Sequence, residues 1–358
     1  MTQGATALID IKALRHNLDR VRSASPNSRI VAVIKADAYG HGMTRVAHAL
    51  AAADAFGVAR LDEALALREA GIAHRLVLMS GVSSTDELRV ASQKRLQLVV
   101  HQFEQIRMLE QSRLANPMQV WLKLDIGMHR LGFAPDQLGQ AWQRVSDCRM
   151  VSGMPRIMAH FSSADDRKDA NTAEQLQCFE RVTAAWQTER SLANSAAILS
   201  QPASHYQWVR PGIMLYGVSP FSDSLADADN LRPVMTLTSQ LMAIQHLRCG
   251  ARVGYSGTWQ CPEDMLVGIV SIGYGDGYPR HAVSGTPVLL AGKRSQIVGR
   301  VSMDMLAIDL RGHAEARIGD PVTLWGEGLP VEEVARHANT IPYELLCSVT
   351  RRVKYSYV

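Results

Sequence analysis

The chain has 358 residues, 47% of them hydrophobic and 20% charged, with a net charge of +4 at pH 7. These globular values exclude a disordered chain, and Lys and Arg scattered without blocks give no sign of nucleic-acid binding. Cys148, Cys178, Cys249, Cys261 and Cys347 are odd in number, lie far apart in sequence and form no CxxC pair, which argues against a disulfide scaffold or a zinc centre and for reduced thiols.

In chain order, the start MTQGATALIDIKALRHNL lacks a basic segment followed by an apolar run and a small-residue cleavage site. No secretory signal is expected, and the cytoplasm is the default compartment. From residue 11 to 218, short apolar runs alternate with helical stretches, the pattern of βα units around a parallel sheet. Strands are predicted at Ile30 to Ile34, Ala55 to Ala59, Leu76 to Met79, Leu96 to Val100, Val120 to Leu124, Arg156 to His160, Leu192 to Ser195 and Ile213 to Tyr216. This set fits a closed (β/α)8 TIM-like barrel. Helices are expected to start near Met43, at Thr85 and at Pro135-Asp136. The rival is an open doubly wound sheet, against which stands the lack of a GxGxxG turn after the first strand. The uncharged stretch Ser191 to Val209 is broken by polar residues and Pro, so no membrane span is expected.

The polar, acidic run FSDSLADADN, residues 221–230, reads as a linker, and beyond it Gly-punctuated strand patterns take over. The predicted division is a barrel over 1–225 and a mainly-β domain over 226–358, with VEEVARHA as a short helix packed on the latter.

The strongest local signal is IVAVIKADAYGHG, where Lys35 follows an apolar strand and precedes a Gly-rich turn. In a barrel that places an amine at the C-terminal mouth, where active sites of this fold sit. Residue type alone leaves plain structural roles open: a lysine that snorkels to water, a Tyr39 packed across the mouth, an Arg210 in a surface ion pair, a His160 satisfied in the core, a Pro-Gly turn at Gly212 and an ordinary core Met303. HFSSADD has no second histidine at ligand spacing, so no metal is expected.

VIKADAYGHG, LKLDIGMHRLG, HFSSAD, ANSAA, VRPGIMLYG, VGYSGTW, GYGDGYPR and IVGRVSMDM, in this order over essentially the whole chain, resemble the alanine racemase family. The resemblance implies a barrel plus a C-terminal β domain, pyridoxal phosphate as cofactor, alanine as substrate, and a homodimer with shared active sites. It implies that Lys35 holds the cofactor as a Schiff base and acts as one proton-transfer base, with Tyr255 of the partner copy as the second. Tyr39, Ser195, Gly212 and Ile213 match cofactor-binding positions around the phosphate, Asn194 and His160 match further cofactor-binding positions, and Arg210 matches the arginine facing the pyridine nitrogen. His160, paired with Arg210, matches the residue assisting Tyr255. Arg130 matches the contact to the cofactor phenolic oxygen and the substrate carboxylate. Met303 and Tyr274, supported by Asp304, match the substrate rim, and Lys123 matches a lysine that family members carry as a carbamate.

One departure is Arg351 in CSVTRRVKYSYV, which stands where some relatives place a phosphate-binding tyrosine, so anchoring from that end is in doubt. A racemase of the same family acting on serine or a basic amino acid stays open, because a methylene discriminates by only about 1 to 3 kcal/mol. A non-catalytic cofactor-binding barrel would lack the β domain, and a decarboxylase on a related architecture would carry a carboxylate where Arg210 stands.

Overall fold

The computed structural model describes residues 4–358. They form two compact units: one takes residues 15–215 and 220–224, the other takes the residues up to Leu14 with 216–219 and 225–358. The first strand, β1 (Thr6–Ile9), belongs to the second unit.

In the first unit β2 (Arg29–Val33), β3 (Ala55–Val58), β4 (Arg75–Leu78), β5 (Gln97–Val100), β6 (Val120–Lys123), β7 (Arg156–Met158), β8 (Arg190–Ser191) and β9 (Trp208–Val209) pair in parallel and close into a barrel. Closure comes from β2 pairing β9, with Arg29 opposite Trp208 and Ile30 opposite Val209. Val31, Ala55, Val77, Val99, Trp121, Met158 and Trp208 fill the interior as one cluster, so the barrel is a packed core. Trp121 and Trp208 meet edge to face with ring centroids 5.5 Å apart. At the N-terminal end of the strands Glu189 accepts from Trp208 Nε1 at 2.8 Å, from Arg156 Nε at 2.6 Å and from Arg29. Burial alone would raise the carboxyl's pKa, but these donors outweigh it and hold it at about 2.

The first six barrel strands lie where the apolar runs placed them, but the last two do not. Leu192 to Ser195 is a loop running into the helix Ser195–Ser200, and the strand is Arg190–Ser191. Ile213 to Tyr216 is a 3-10 turn, and the strand is Trp208–Val209. Apart from half-buried Asn194 both runs are buried, and burial without periodicity does not separate strand from turn. Arg210 therefore directly follows the last barrel strand. The helix Met43–Ala49 starts as expected, and Thr85–Gln93 starts at Thr85 with Ser84 Oγ accepting the Glu87 N–H at 3.2 Å. The helix expected at Pro135 begins at Leu138.

The second unit is built on β10 (Met235–Leu247), whose first half pairs β1 and β17 (Pro321–Trp325) and whose second half pairs β13 (Met265–Val270). A register shift between Leu241 and Ala243 lets one strand serve both. The remaining strands are β11 (Arg252–Val253), β12 (Trp259–Gln260), β14 (Pro287–Leu290), β15 (Lys293–Gln296), β16 (Leu306–Asp309) and β18 (Lys354–Tyr357). β1 lies between β10, antiparallel, and β18, parallel. The barrel unit thus begins at Arg15, not at residue 1 as the sequence division had it, because the backbone groups of Thr6–Ile9 are satisfied by strands of the β unit. VEEVARHA forms the helix Val331–His337 as expected.

Candidate active site

The C-terminal ends of the barrel strands gather the residues singled out in the sequence. Lys35 comes two residues after β2 and Lys123 ends β6, while His160 and Arg210 follow β7 and β9 within two residues. Asn194 and Ser195 follow β8. Asn194 caps the helix Ser195–Ser200, its Oδ1 accepting the Ala197 N–H at 3.0 Å.

Arg210 is 3% exposed. Its guanidinium donates to Ser191 Oγ at 2.5 Å, to the Leu192 carbonyl at 3.2 Å and to the Ala159 carbonyl, and one nitrogen lies 3.3 Å from His160 Nδ1. Burial lowers its pKa to about 10, so it remains a cation at neutral pH. An arginine cannot accept a proton here, so His160 Nδ1 is the acceptor and the neutral ring carries its hydrogen on Nε2. Burial, then the charges of Arg210, Lys123, Arg130 and Lys35, push the His160 pKa well below its ordinary value and keep it neutral.

Lys123 has its pKa lowered to about 8, first by burial and then by Arg210, Arg130 and Lys35, against which Asp125 acts. Four cations thus crowd one barrel mouth with a single nearby carboxylate among the groups that act on Lys123. Arg130 is exposed on a loop whose ends are pinned: Phe133 N–H donates to the Lys123 carbonyl at 2.8 Å, and Asp125 Oδ1 accepts the N–H groups of Gly127 at 3.0 Å and His129 at 3.1 Å. A Cβ on Gly132 would lie 2.7 Å from the Asp125 nitrogen, so the loop needs glycine there.

A second cluster brings Ser195, Gly212 and Tyr39 together. Ser195 Oγ accepts the Gly212 N–H at 2.9 Å and sits 3.4 Å from the Met214 nitrogen. A Cβ on Gly212 would fall 2.6 Å from the Tyr39 hydroxyl, so only glycine lets that phenol lie against this backbone. Ile213 is buried beside it.

The backbone between Lys35 and Tyr39 is left-handed: Ala36, Asp37, Ala38 and Tyr39 have φ of 52, 52, 54 and 53° and ψ of 53, 45, 50 and 41°. Each such residue costs about 1–2 kcal/mol without a glycine, so neighbours must hold the turn. Glu63 Oε1 accepts the Ala36 N–H at 2.6 Å, Asp37 Oδ1 accepts the Met43 N–H at 2.7 Å, and His41 Nδ1 lies 3.0 Å from the Ala38 carbonyl and 2.8 Å from that of Tyr39. His41 is fully buried, and desolvation lowers its pKa to about 4 against those two hydrogen bonds. Sequence reading missed Glu63, His41 and Asp125; an acidic residue three positions into a helix start and an Asp before Gly-x-His are the signals that could have found the first and last.

In the β unit, Tyr255 stands at the tip of the β11–β12 hairpin and is 63% exposed. Gly254, with φ 72°, turns the chain into that tip. Tyr274 and Met303, 38% and 51% exposed, are tied by backbone: Tyr274 N–H donates to the Ser302 carbonyl at 3.0 Å and Gly275 N–H to that of Met303 at 2.8 Å. Arg352 binds both sides, reaching Asp304 Oδ1 at 2.7 Å and Asp276 Oδ1 at 3.2 Å. Arg351 is exposed. No cluster of three metal-ligating side chains occurs among the described residues.

The barrel mouth gathers a lysine amine among cations beside a hydroxyl, a phenol and backbone N–H groups, the makings of an enzyme site. Comparison with known proteins gives the particular family. The model of the alanine racemase N-terminal domain matches residues 9–220, and that of the C-terminal domain matches residues 234–357. The chain belongs to the alanine racemase family. It is 56% identical to an alanine racemase of Nitrosococcus oceani over 97% of each chain, and 49% identical to a biosynthetic alanine racemase of Escherichia coli over 99% of each. Among solved structures, the biosynthetic alanine racemase of Pseudomonas aeruginosa is similar with TM-score 0.97, 45% identity and 100% of both chains covered. The alanine racemase of Bartonella henselae, described with covalently bound pyridoxal phosphate, is similar with TM-score 0.90 and 28% identity over 100% of both chains.

Proposed function

We propose that the chain interconverts L- and D-alanine with pyridoxal phosphate held in the barrel mouth, Lys35 and Tyr255 moving the proton on opposite faces. The observation that carries the reading is a lysine at the end of the first barrel strand, set among Lys123, Arg130 and Arg210, in a chain matched nearly end to end by both family domains. The residues fit this cofactor. Ser195, Gly212, Ile213 and Tyr39 form a cradle for a phosphate, with Asn194 capping the helix that carries Ser195, and the surplus of positive charge suits an anionic ligand.

When bound, pyridoxal phosphate withdraws electrons from the substrate and acidifies its Cα–H. Lys35 would hold the cofactor covalently and, once released from it, take or return the Cα proton at Nζ. Tyr255, from the partner copy, would hold the proton of the other face at its phenolic oxygen. A phenol needs help to give up its proton near neutrality, and the Nε2–H of neutral His160 is the donor available to a phenolate. Arg210 would face the pyridine nitrogen and keep its own protons, which weakens the ring as an electron sink and favours return of the proton to Cα over transamination. Arg130 would bind the substrate carboxylate through its planar donors, with Tyr274 and Met303 of the partner copy, supported by Asp304, closing the rim. The exposure of Tyr255, Tyr274 and Met303 on a single chain supports a homodimer with shared sites.

Lys123 would carry a carbamate: the neutral Nζ adds to CO2, a proton leaves, and a cation beside Arg130 becomes an anion. A pKa of about 8 makes the neutral amine far commoner at pH 8 than in an ordinary lysine. No helix among the described residues is long and apolar enough to cross a membrane, and the cytoplasm is the proposed location.

The test is a circular-dichroism assay of L-alanine, L-serine and L-lysine in parallel, with the parent and Tyr255→Phe. The parent should convert alanine fastest, and the variant should retain bound cofactor and lose racemisation. A variant as fast as the parent sinks the two-base assignment.

A further inference from the structure

We infer that Glu63 is a positioning residue for Lys35, its carboxylate clamping the first amide of the left-handed turn that the lysine opens. The inference rests on the role proposed for Lys35 above. Glu63 is the third residue of the helix Leu61–Glu69. Its two oxygens face different elements. Oε2 accepts the N–H groups of Ala59 at 2.7 Å and Arg60 at 3.1 Å, the ordinary work of an acidic residue at a helix start. Oε1 reaches across to the Ala36 N–H at 2.6 Å, 27 residues away in sequence. A charged acceptor on a backbone amide is a strong, directional hydrogen bond.

That amide belongs to the peptide joining Lys35 to Ala36. Fixing it fixes the plane that sets the Lys35 Cα, and with it the direction in which the side chain leaves the barrel rim. Ala36 is also the first of four consecutive non-glycine residues at positive φ, a conformation that an alanine leaves unless held. The other side-chain holds act further along: Asp37 on Met43, and His41 on the carbonyls of Ala38 and Tyr39, while the Ala38 N–H donates through the backbone to the Ile34 carbonyl at 2.9 Å. Glu63 alone among these three acts at the lysine end. It touches no reacting atom in this account; it acts through Ala36.

The experiment compares the parent holoenzyme, Glu63→Gln, and the double variant Ala36→Gly with Glu63→Gln. Glutamine keeps one carbonyl oxygen, which the two amides of Ala59 and Arg60 retain, and turns an NH2 toward the Ala36 N–H. The helix start survives and the clamp is lost. A misplaced amine should lower kcat about tenfold or more, with KM for alanine within about twofold of the parent, and should move the pH titration of the visible band of the bound cofactor. Glycine adopts positive φ without steric cost, so the double variant should regain most of the lost rate and the parent titration. A helix-capping role alone gives no rescue from position 36. The inference is overturned if Glu63→Gln titrates and turns over like the parent, or if adding Ala36→Gly leaves its defect unchanged. Should Glu63→Gln fail to fold, hydrogen exchange in the parent decides: a protected Ala36 amide supports the clamp, and one exchanging at the rate of an unbonded amide overturns it. The two readings separate cleanly, since a parent without cofactor on Lys35 defeats the proposed function, whereas a loaded parent with a parent-like variant defeats only Glu63.

Discussion

His41 links the site to the pH dependence of folding. It is 0% exposed and its pKa is lowered from 6.5 to about 4. In the unfolded chain the imidazole binds a proton below about 6.5; in the folded chain it does so only below about 4. Between those values the unfolded state holds more protons, so stability falls as pH falls. At about 1.4 kcal/mol per pKa unit, the full effect is about 3 kcal/mol, present above about pH 6.5 and lost by about pH 4. His41→Asn keeps a donor for the carbonyls of Ala38 and Tyr39 and removes the titration. Urea unfolding at fixed protein concentration, repeated from about pH 7 to about pH 4, should show the parent losing about 3 kcal/mol more than the variant. His160 and Glu189 titrate in both proteins and cancel from the comparison. Superimposable pH slopes would refute a neutral, desolvated His41.

Three other outcomes follow from the geometry. Gly212→Ala places a methyl 2.6 Å from the Tyr39 hydroxyl; the phenol must move, and cofactor affinity by equilibrium dialysis should weaken about tenfold, the worth of one strained or lost hydrogen bond. With 13C-labelled bicarbonate the parent should show one carbamate carbon resonance that Lys123→Ala lacks; a parent spectrum without it removes the carbamate. Arg210→Glu puts a carboxylate where an arginine donates to Ser191 and the Ala159 and Leu192 carbonyls, so racemisation should fall by a factor of about ten or more and pyruvate formation from alanine should appear in a coupled assay.

Much of this was legible in the sequence, and the reasons differ by residue. Lys35 follows an apolar strand whose end marks the barrel mouth, so local pattern placed it, whereas Lys123 and His160 were singled out by the resemblance alone. Gly212 came from the resemblance, and the Tyr39 hydroxyl that lies against its backbone is a reason no local pattern could show. β8 and β9 are two residues each, too short for periodicity to register, and the longer apolar runs after them drew the assignment away. β1 pairs β10 from the far side of the barrel sequence, and such non-local pairing leaves no trace in a local window. Glu63, His41 and Asp125 act on backbone amides and carbonyls, whose identity no residue letter encodes. The left-handed turn was invisible for the same reason: ADAY contains no glycine to advertise positive φ.

If Lys35 holds the cofactor covalently, borohydride reduction of the purified yellow protein, followed by digestion and peptide mass mapping, will fix the bond in place and locate it. A pyridoxyl adduct confined to the peptide containing Lys35 is the predicted result; an adduct on another lysine, or none on a protein saturated with pyridoxal phosphate, contradicts it.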